Sequence, residues 1–129
     1  MRPKAATLTP HELELMKIVW VRDDGVTVRD VYEELRKRRP VAYTTVMTNM
    51  KTLEQKGHLT STLQDRAHLY RAARPKQQVV KEMVRDFVTR VFNGSGRPLV
   101  LHLLEDDQLT EADLREITGM MDKPMEKKR

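Results

Sequence analysis

Between Thr9 and Ala72 the chain is interrupted so often that only short elements fit, and their order limits the fold more than any other feature. Thr9-Pro10-His11-Glu12 predicts a helix start. The threonine caps, the proline sits in the first turn where a missing N–H costs nothing, and the glutamate can bond back to the cap. Leu13, Met16, Ile18, Val19 and Trp20 are expected on its buried side, and Asp23-Asp24-Gly25 should end it. Thr27 with Asp30 three residues on predicts a second start, with Val28, Val31, Tyr32 and Leu35 apolar and an end near Lys37. Pro40 breaks the chain again, and a third helix follows over residues 42–57, with Gly57 as its C-terminal cap. His58–Leu63 and His68–Ala72 then read as two short strands around a turn at Gln64-Asp65-Arg66-Ala67. Three helices and a hairpin within about 65 residues have few compact solutions, and the expectation is a winged helix-turn-helix.

The third helix raises a question of its own. AYTTVMTNMKTLEQKG holds four threonines, although a branched β-carbon makes threonine a mediocre helix former. At 100° per residue, Val46, Met50 and Leu53 fall on one side, flanked by Tyr43 and Met47. Thr44, Thr45, Thr48, Lys51, Thr52 and Gln55 fall on the other, without an acidic residue. Solvated helix faces usually favour Glu, Lys and Gln. Hydroxyls can instead donate to phosphate oxygens or base edges, and threonine methyls can touch a thymine methyl. A face built for the major groove accepts weak helix formers, because contact and not propensity selects them.

Charge supports the same division of labour. The net charge is +5, and residues 1–75 hold 14 Lys plus Arg against 9 Asp plus Glu, while residues 76–129 hold 10 of each. A basic first part suggests a polyanionic partner. Arg36-Lys37-Arg38-Arg39 complements the dipole at the end of the second helix and could also touch phosphate. From Pro75 the pattern changes to a long helix over residues 76–92 whose stripe includes Val80, Met83, Val84, Phe87 and Val91, too wide for one small domain to cover. Asn93-Gly94-Ser95-Gly96 interrupts it as a hinge. A short apolar helix around Leu99–Leu104 and a last one started by Thr110 and Asp113, through Leu114, Ile117 and Met121, complete the pattern. The expected organisation is therefore a winged-helix DNA-binding domain over residues 1–75, a helical dimerisation domain over 76–122 and a polar tail over 123–129.

Other chemistry finds little support. The absence of cysteine removes disulfides, thiol catalysis and thiolate metal sites. His11, His58, His68 and His102 show no ligand spacing, so no metal is expected. Asn93-Gly94-Ser95-Gly96 follows a helix and lacks the Lys-Ser/Thr pair of a phosphate loop. Glu105-Asp106-Asp107 reads as an acidic loop before the cap at Thr110. No catalytic constellation and no cofactor are expected. MRPKAATLTPHELE lacks the apolar run of a secretory signal, and no transmembrane-length apolar stretch occurs, so the expected location is cytoplasmic without membrane insertion.

The blocks LTPHELELMKIVW, AYTTVMTNMKTLEQKGHL and DRAHLYRA, with their spacing, resemble the BlaI/MecI/CopY family of bacterial winged-helix repressors. A weaker similarity continues through VFNGSGRPLVLHLLEDDQLTEADLREI to about residue 121, nearly the whole chain. The resemblance implies an N-terminal winged helix, a C-terminal helical dimerisation unit, and repression of β-lactamase, penicillin-binding-protein or metal-efflux operons through dyad operators. It implies that Thr44, Thr45, Thr48 and Lys51 face DNA, with Arg66 and His68 on the wing; Tyr43 and Thr52 complete the expected interface. Val80, Met83, Val84, Phe87, Val91, Leu101, Leu104, Leu114 and Ile117 are the expected dimer contacts. Family members commonly carry Arg where this chain has Thr52 and an apolar residue where it has Asn49. The copper-responsive branch has a cysteine-rich C-terminal site that this chain lacks. In the antibiotic-responsive branch a membrane sensor-protease pathway triggers cleavage at a bond placed like His102–Leu103, usually after Asn.

The expected function is thus a homodimeric repressor of double-stranded operator DNA, of the β-lactamase or penicillin-binding-protein regulator type. The rivals are a ligand-responsive winged-helix regulator and a winged helix used for protein–protein contact.

Overall fold

The computed structural model describes residues 7–122; the expected polar tail, 123–129, lies outside them. Its elements are α1 (Pro10–Trp20), α2 (Val28–Arg36), α3 (Tyr43–Gln55), β1 (Leu59–Gln64), β2 (Ala67–Ala72), α4 (Lys76–Phe92), α5 (Arg97–Glu105) and α6 (Glu111–Asp122). The fold is mainly α with one antiparallel hairpin, as the punctuation predicts. The chain forms two compact units, one ending at Lys81 and the other beginning at Glu82, so the division falls inside α4.

Local chemistry sets the boundaries in the first unit. Thr9 and Glu12 form a complete capping box, with the Glu12 N–H donating to Thr9 Oγ1 at 3.2 Å and the Thr9 N–H to Glu12 Oε1 at 2.9 Å. Thr27 and Asp30 repeat it at α2, at 3.0 and 3.1 Å. At the end of α3 the Gly57 N–H donates to the Glu54 carbonyl at 3.1 Å and the His58 N–H to that of Leu53 at 2.9 Å. This pair of bonds needs a left-handed residue at position 57, where φ is 91°.

The core of this unit is α1 packed on α2, α3 and β2, with α2 on α3 and α3 on β1. Leu15, Met16, Val19, Val31, Leu35, Val46, Met50, Leu53 and Leu59 are all buried. Two α1 assignments need correction: Leu13 and Trp20 are only half-buried, and the covered row is Glu12, Leu15, Met16 and Val19 with Ile18. Trp20 instead spans the edge of the unit, its Nε1 donating to the Arg74 carbonyl at 3.2 Å. Glu12 can occupy a buried position because Lys56 Nζ reaches its Oε1 at 2.6 Å.

The hairpin also differs from expectation. Leu59 pairs with Ala72 and Gln64 with Ala67, so the turn contains only Asp65 and Arg66. An isolated bridge, not expected from the sequence, joins Val26 to Tyr70, which exchange backbone bonds of 2.9 and 2.7 Å. Gly25 permits that approach: a Cβ there would lie 2.8 Å from Leu69 Cγ.

The second unit is helical. Asn93 and Gly94, with φ of 53° and 89°, end α4 at the expected interruption. Thr110 and Asp113 form a third capping box, at 3.0 and 3.1 Å. α5 ends in the same bond pattern as α3, Asp107 N–H to Leu104 and Gln108 N–H to Leu103, but with Asp107 at the left-handed position. No helix among the described residues is long and apolar enough to cross a membrane.

Candidate nucleic-acid interface

The rotation of α3 follows from its core residues. Val46, Met50 and Leu53 are fully buried, which leaves Thr44, Thr45, Thr48, Lys51 and Gln55 exposed on the opposite side. Thr52 and Asn49 are half-buried at the margins, and Tyr43 is 39% exposed at the first turn. Ala42 provides no side-chain cap, and the first turn holds no acid. The exposed side therefore presents hydroxyls, methyls and one cation, with no carboxylate among its expected residues.

Beside this face lies a concave depression of about 490 Å³ between the start of α2, the face of α3 and the tip of the hairpin. It brings together Tyr43, Lys51, Arg66 and His68. Thr44, Thr45, Thr48 and Thr52 lie on α3 outside its lining. Arg29, which sequence reasoning missed, also lines it, with its guanidinium carbon 5.9 Å from the centroid of the Tyr43 ring. Arg29 sits on the second helix, and only tertiary packing places it here. The lining carries Arg29, Lys51 and Arg66 with no acidic residue.

The wing is aimed by its turn and register. Asp65 and Arg66 both have positive φ, 50° and 69°, the pattern of a two-residue hairpin turn whose twist suits the flanking strands. His68 and Tyr70 alternate onto one face of β2, opposite Leu63 and Ser61 of β1. Ser61 Oγ donates to Glu54 Oε2 at 2.8 Å, which turns that face toward α3. Tyr70 is buried, and burial together with the nearby Glu54 charge raises its phenol above the ordinary value.

The basic run after α2 is mostly engaged internally. Arg36 meets Glu33 at 3.4 Å, Lys37 meets Glu34 at 3.3 Å and Arg39 meets Glu14 at 2.7 Å. The Arg39 hydrogen bond lowers the pKa of Glu14 despite partial burial. Among the described residues no group of three or more His, Cys, Asp or Glu gathers as a metal site.

In the second unit the residues expected at a dimer contact are accessible in the single chain. Val84, Phe87, Val91, Leu101 and Ile117 are exposed, while Met83, Leu104 and Leu114 are half-buried, as is Val80 at the end of the first unit. His102 is exposed on α5, its ring 5.9 Å from that of Phe92 and its Nδ1 3.8 Å from Glu105 Oε1. The half-buried Leu103 follows it inside the helix.

A family model described as Penicillinase repressor matches residues 8–123. "Transcriptional regulator BlaI" of Mycobacterium tuberculosis (strain CDC 1551 / Oshkosh) is 33% identical over 111 residues, 85% of this chain and 80% of that one. "Penicillinase repressor" of Bacillus licheniformis is 25% identical over 126 residues, 98% of each chain. "Methicillin resistance regulatory protein MecI" of Staphylococcus aureus (strain N315) is 20% identical over 123 residues, 95% of this chain and 99% of that one. Among solved structures, the solution structure of the monomeric form of Bacillus licheniformis BlaI in complex with the blaP half-operator aligns at a TM-score of 0.50 and 26% identity, over 57% of this chain and 89% of that one. A winged-helix fold in the first unit and a family match over nearly the whole chain agree: this protein belongs to the penicillinase repressor family.

Proposed function

We propose that the chain is a sequence-specific transcriptional repressor that acts in the cytoplasm as a homodimer on dyad operators, of the type that controls β-lactamase or penicillin-binding-protein genes. The observation that carries this reading is the acid-free threonine face of α3 beside a depression lined by Arg29, Lys51 and Arg66. The operator-bound relative supports it. In this reading α3 enters the major groove, where Thr44, Thr45 and Thr48 meet base edges or nearby phosphate. Lys51, Arg66 and His68 hold the backbone, with Tyr43 and Thr52 at the margins. The exposed apolar side chains of α4, α5 and α6 are covered by a second copy, which sets the spacing of the two reading helices.

The test is binding to DNA from the region upstream of the protein's own gene and to a scrambled duplex of the same length. If about six to ten phosphates are neutralised per dimer, affinity should fall by roughly a thousandfold or more between about 50 and 200 mM salt. Thr48→Ala should cost about 1–3 kcal/mol on the operator and less on scrambled DNA, because base readout is lost. An unchanged ratio of the two affinities would show that α3 is not the reading element.

A further inference from the structure

Glu33 lies on α2 with one arginine on either side of it in sequence, and it bonds to both. Its Oε2 accepts from Arg29 Nη1 at 3.2 Å and its Oε1 from Arg36 Nη1 at 3.4 Å. Each guanidinium also lies near an aromatic ring: Arg29 is 5.9 Å from the Tyr43 centroid and Arg36 is 5.4 Å from that of Tyr32. The two rings meet edge to face at 5.4 Å. Arg29, Tyr32, Glu33 and Arg36 follow the i, i+3, i+4, i+7 spacing of one helix face, and Tyr43 joins them to the start of α3. The result is a continuous ridge that begins in the depression beside the threonine face and runs along α2. Its charged groups stay wet, with side-chain exposures of 69%, 45% and 54% for Arg29, Glu33 and Arg36.

We propose that this ridge is a second, backbone-contacting surface for DNA, and that Glu33 sets its strength by competing with phosphate for both arginines. The inference rests on the reading of α3 as the groove-entering helix. Exposed pairs three or four residues apart are weak and screened by salt, so the arginines can be surrendered to a phosphate. A guanidinium is well suited to the exchange, because its planar fork matches two phosphate oxygens and its face can rest on a tyrosine ring. Glu33 cannot leave with them. It remains as an anion beside the incoming phosphates and opposes every duplex alike, whatever its sequence. Its consequence is a limit on non-specific binding, since that binding is almost wholly a phosphate effect.

Glu33→Gln tests this against Glu34→Gln, which removes the same charge from the same helix but frees Lys37, a residue outside the ridge. Affinities are read on operator and scrambled DNA across a salt series, with melting curves to confirm that each variant is folded. Glu33→Gln should tighten both duplexes by about threefold to tenfold near 100 mM salt and steepen the slope of log affinity against log salt by roughly one per protomer. Arg36→Ala added to Glu33→Gln should remove much of that gain. Equal effects of Glu33→Gln and Glu34→Gln, no change in affinity or slope, or a gain confined to the operator would each overturn the proposal. Failure of the wild-type protein to bind DNA at all would overturn the reading beneath it, and the proposal with it.

Discussion

Up to Lys81 the chain closes a core of its own; from Glu82 to Met121 none of the described residues is buried. The first unit buries a core of large apolar residues under three helices and a hairpin, with Val21 and Leu63 left at its surface, and the depression beside α3 is cationic. The second leaves Phe87 41%, Val91 51%, Leu101 46% and Met120 61% exposed on regular helices, of which α6 starts in a complete capping box. Well-formed helices with uncovered stripes are the usual mark of surfaces completed by another chain. The two units thus differ less in how their helices are made than in whether the chain's own packing buries them.

The strongest way to break this contrast is to charge the uncovered stripe. Phe87→Glu with Val91→Glu would place carboxylates where a second copy is proposed to pack, and should give monomers in light scattering at micromolar concentration. Loss of the linkage between half-sites should lower affinity for a dyad operator by about 10²- to 10⁴-fold. The melting of the first unit should be unaffected, because neither residue belongs to its core. A monomeric wild-type protein under the same conditions would mean that the exposed stripe has some other cover, or none.

What the sequence displayed clearly was local. Thr9, Thr27 and Thr110 with their acidic partners announced three helix starts, and each box is present in full. Gly57 announced the end of α3, but Asp107 ends α5 by the same bonds without a glycine to signal it. The Val26–Tyr70 bridge was invisible because its partners are remote in sequence and Val26 stands outside any alternating run. The buried row of α1 was misassigned because it contains Glu12, and a reading based on hydrophobicity passes over a carboxylate whose partner, Lys56, lies at the end of another helix. Arg29 was missed at the candidate site for the same reason: its place beside Tyr43 is a product of packing. The α3 face was legible because both its apolar side and its polar side repeat at helical spacing within one segment.

Glu12 offers a second, smaller way to sharpen the contrast, through pH. Burial opposes its ionisation, but the Lys56 hydrogen bond and the Thr9 N–H outweigh that and hold its pKa below the ordinary 4.5. A depressed carboxylate stabilises the fold fully above its unfolded value, and that contribution is lost as pH falls through the lower folded value. Glu12→Gln should therefore cost about 1.5–3 kcal/mol at neutral pH, measured by urea unfolding, and the gap to wild type should close on acidification below about pH 4.5. In the second unit the Thr110 backbone hydrogen bond likewise depresses Asp113, yet that carboxylate is exposed. Asp113→Asn should show a smaller acid-sensitive difference than Glu12→Gln. Equal differences would mean that closure of the first core adds nothing to the ion pair.

The smallest effect separates strain kept for contact from strain without it. Arg66 at the wing tip and Asp107 after α5 both hold left-handed backbone, at φ of 69° and 59°. Such a conformation costs a residue with a β-carbon about 1 kcal/mol, while glycine adopts it freely but loses more freedom on folding. Arg66→Gly and Asp107→Gly should therefore each change stability by less than about 1 kcal/mol, most readily as a small rise in melting temperature. Their effects on DNA should diverge. Arg66→Gly removes a cation from the lining of the depression and should weaken operator and scrambled duplex about equally, with a shallower salt slope. Asp107→Gly touches no residue of that lining and should leave both affinities alone. If Arg66→Gly binds DNA as well as wild type, the wing tip carries its strained arginine for some reason other than phosphate contact, and the depression alone does not define the DNA face.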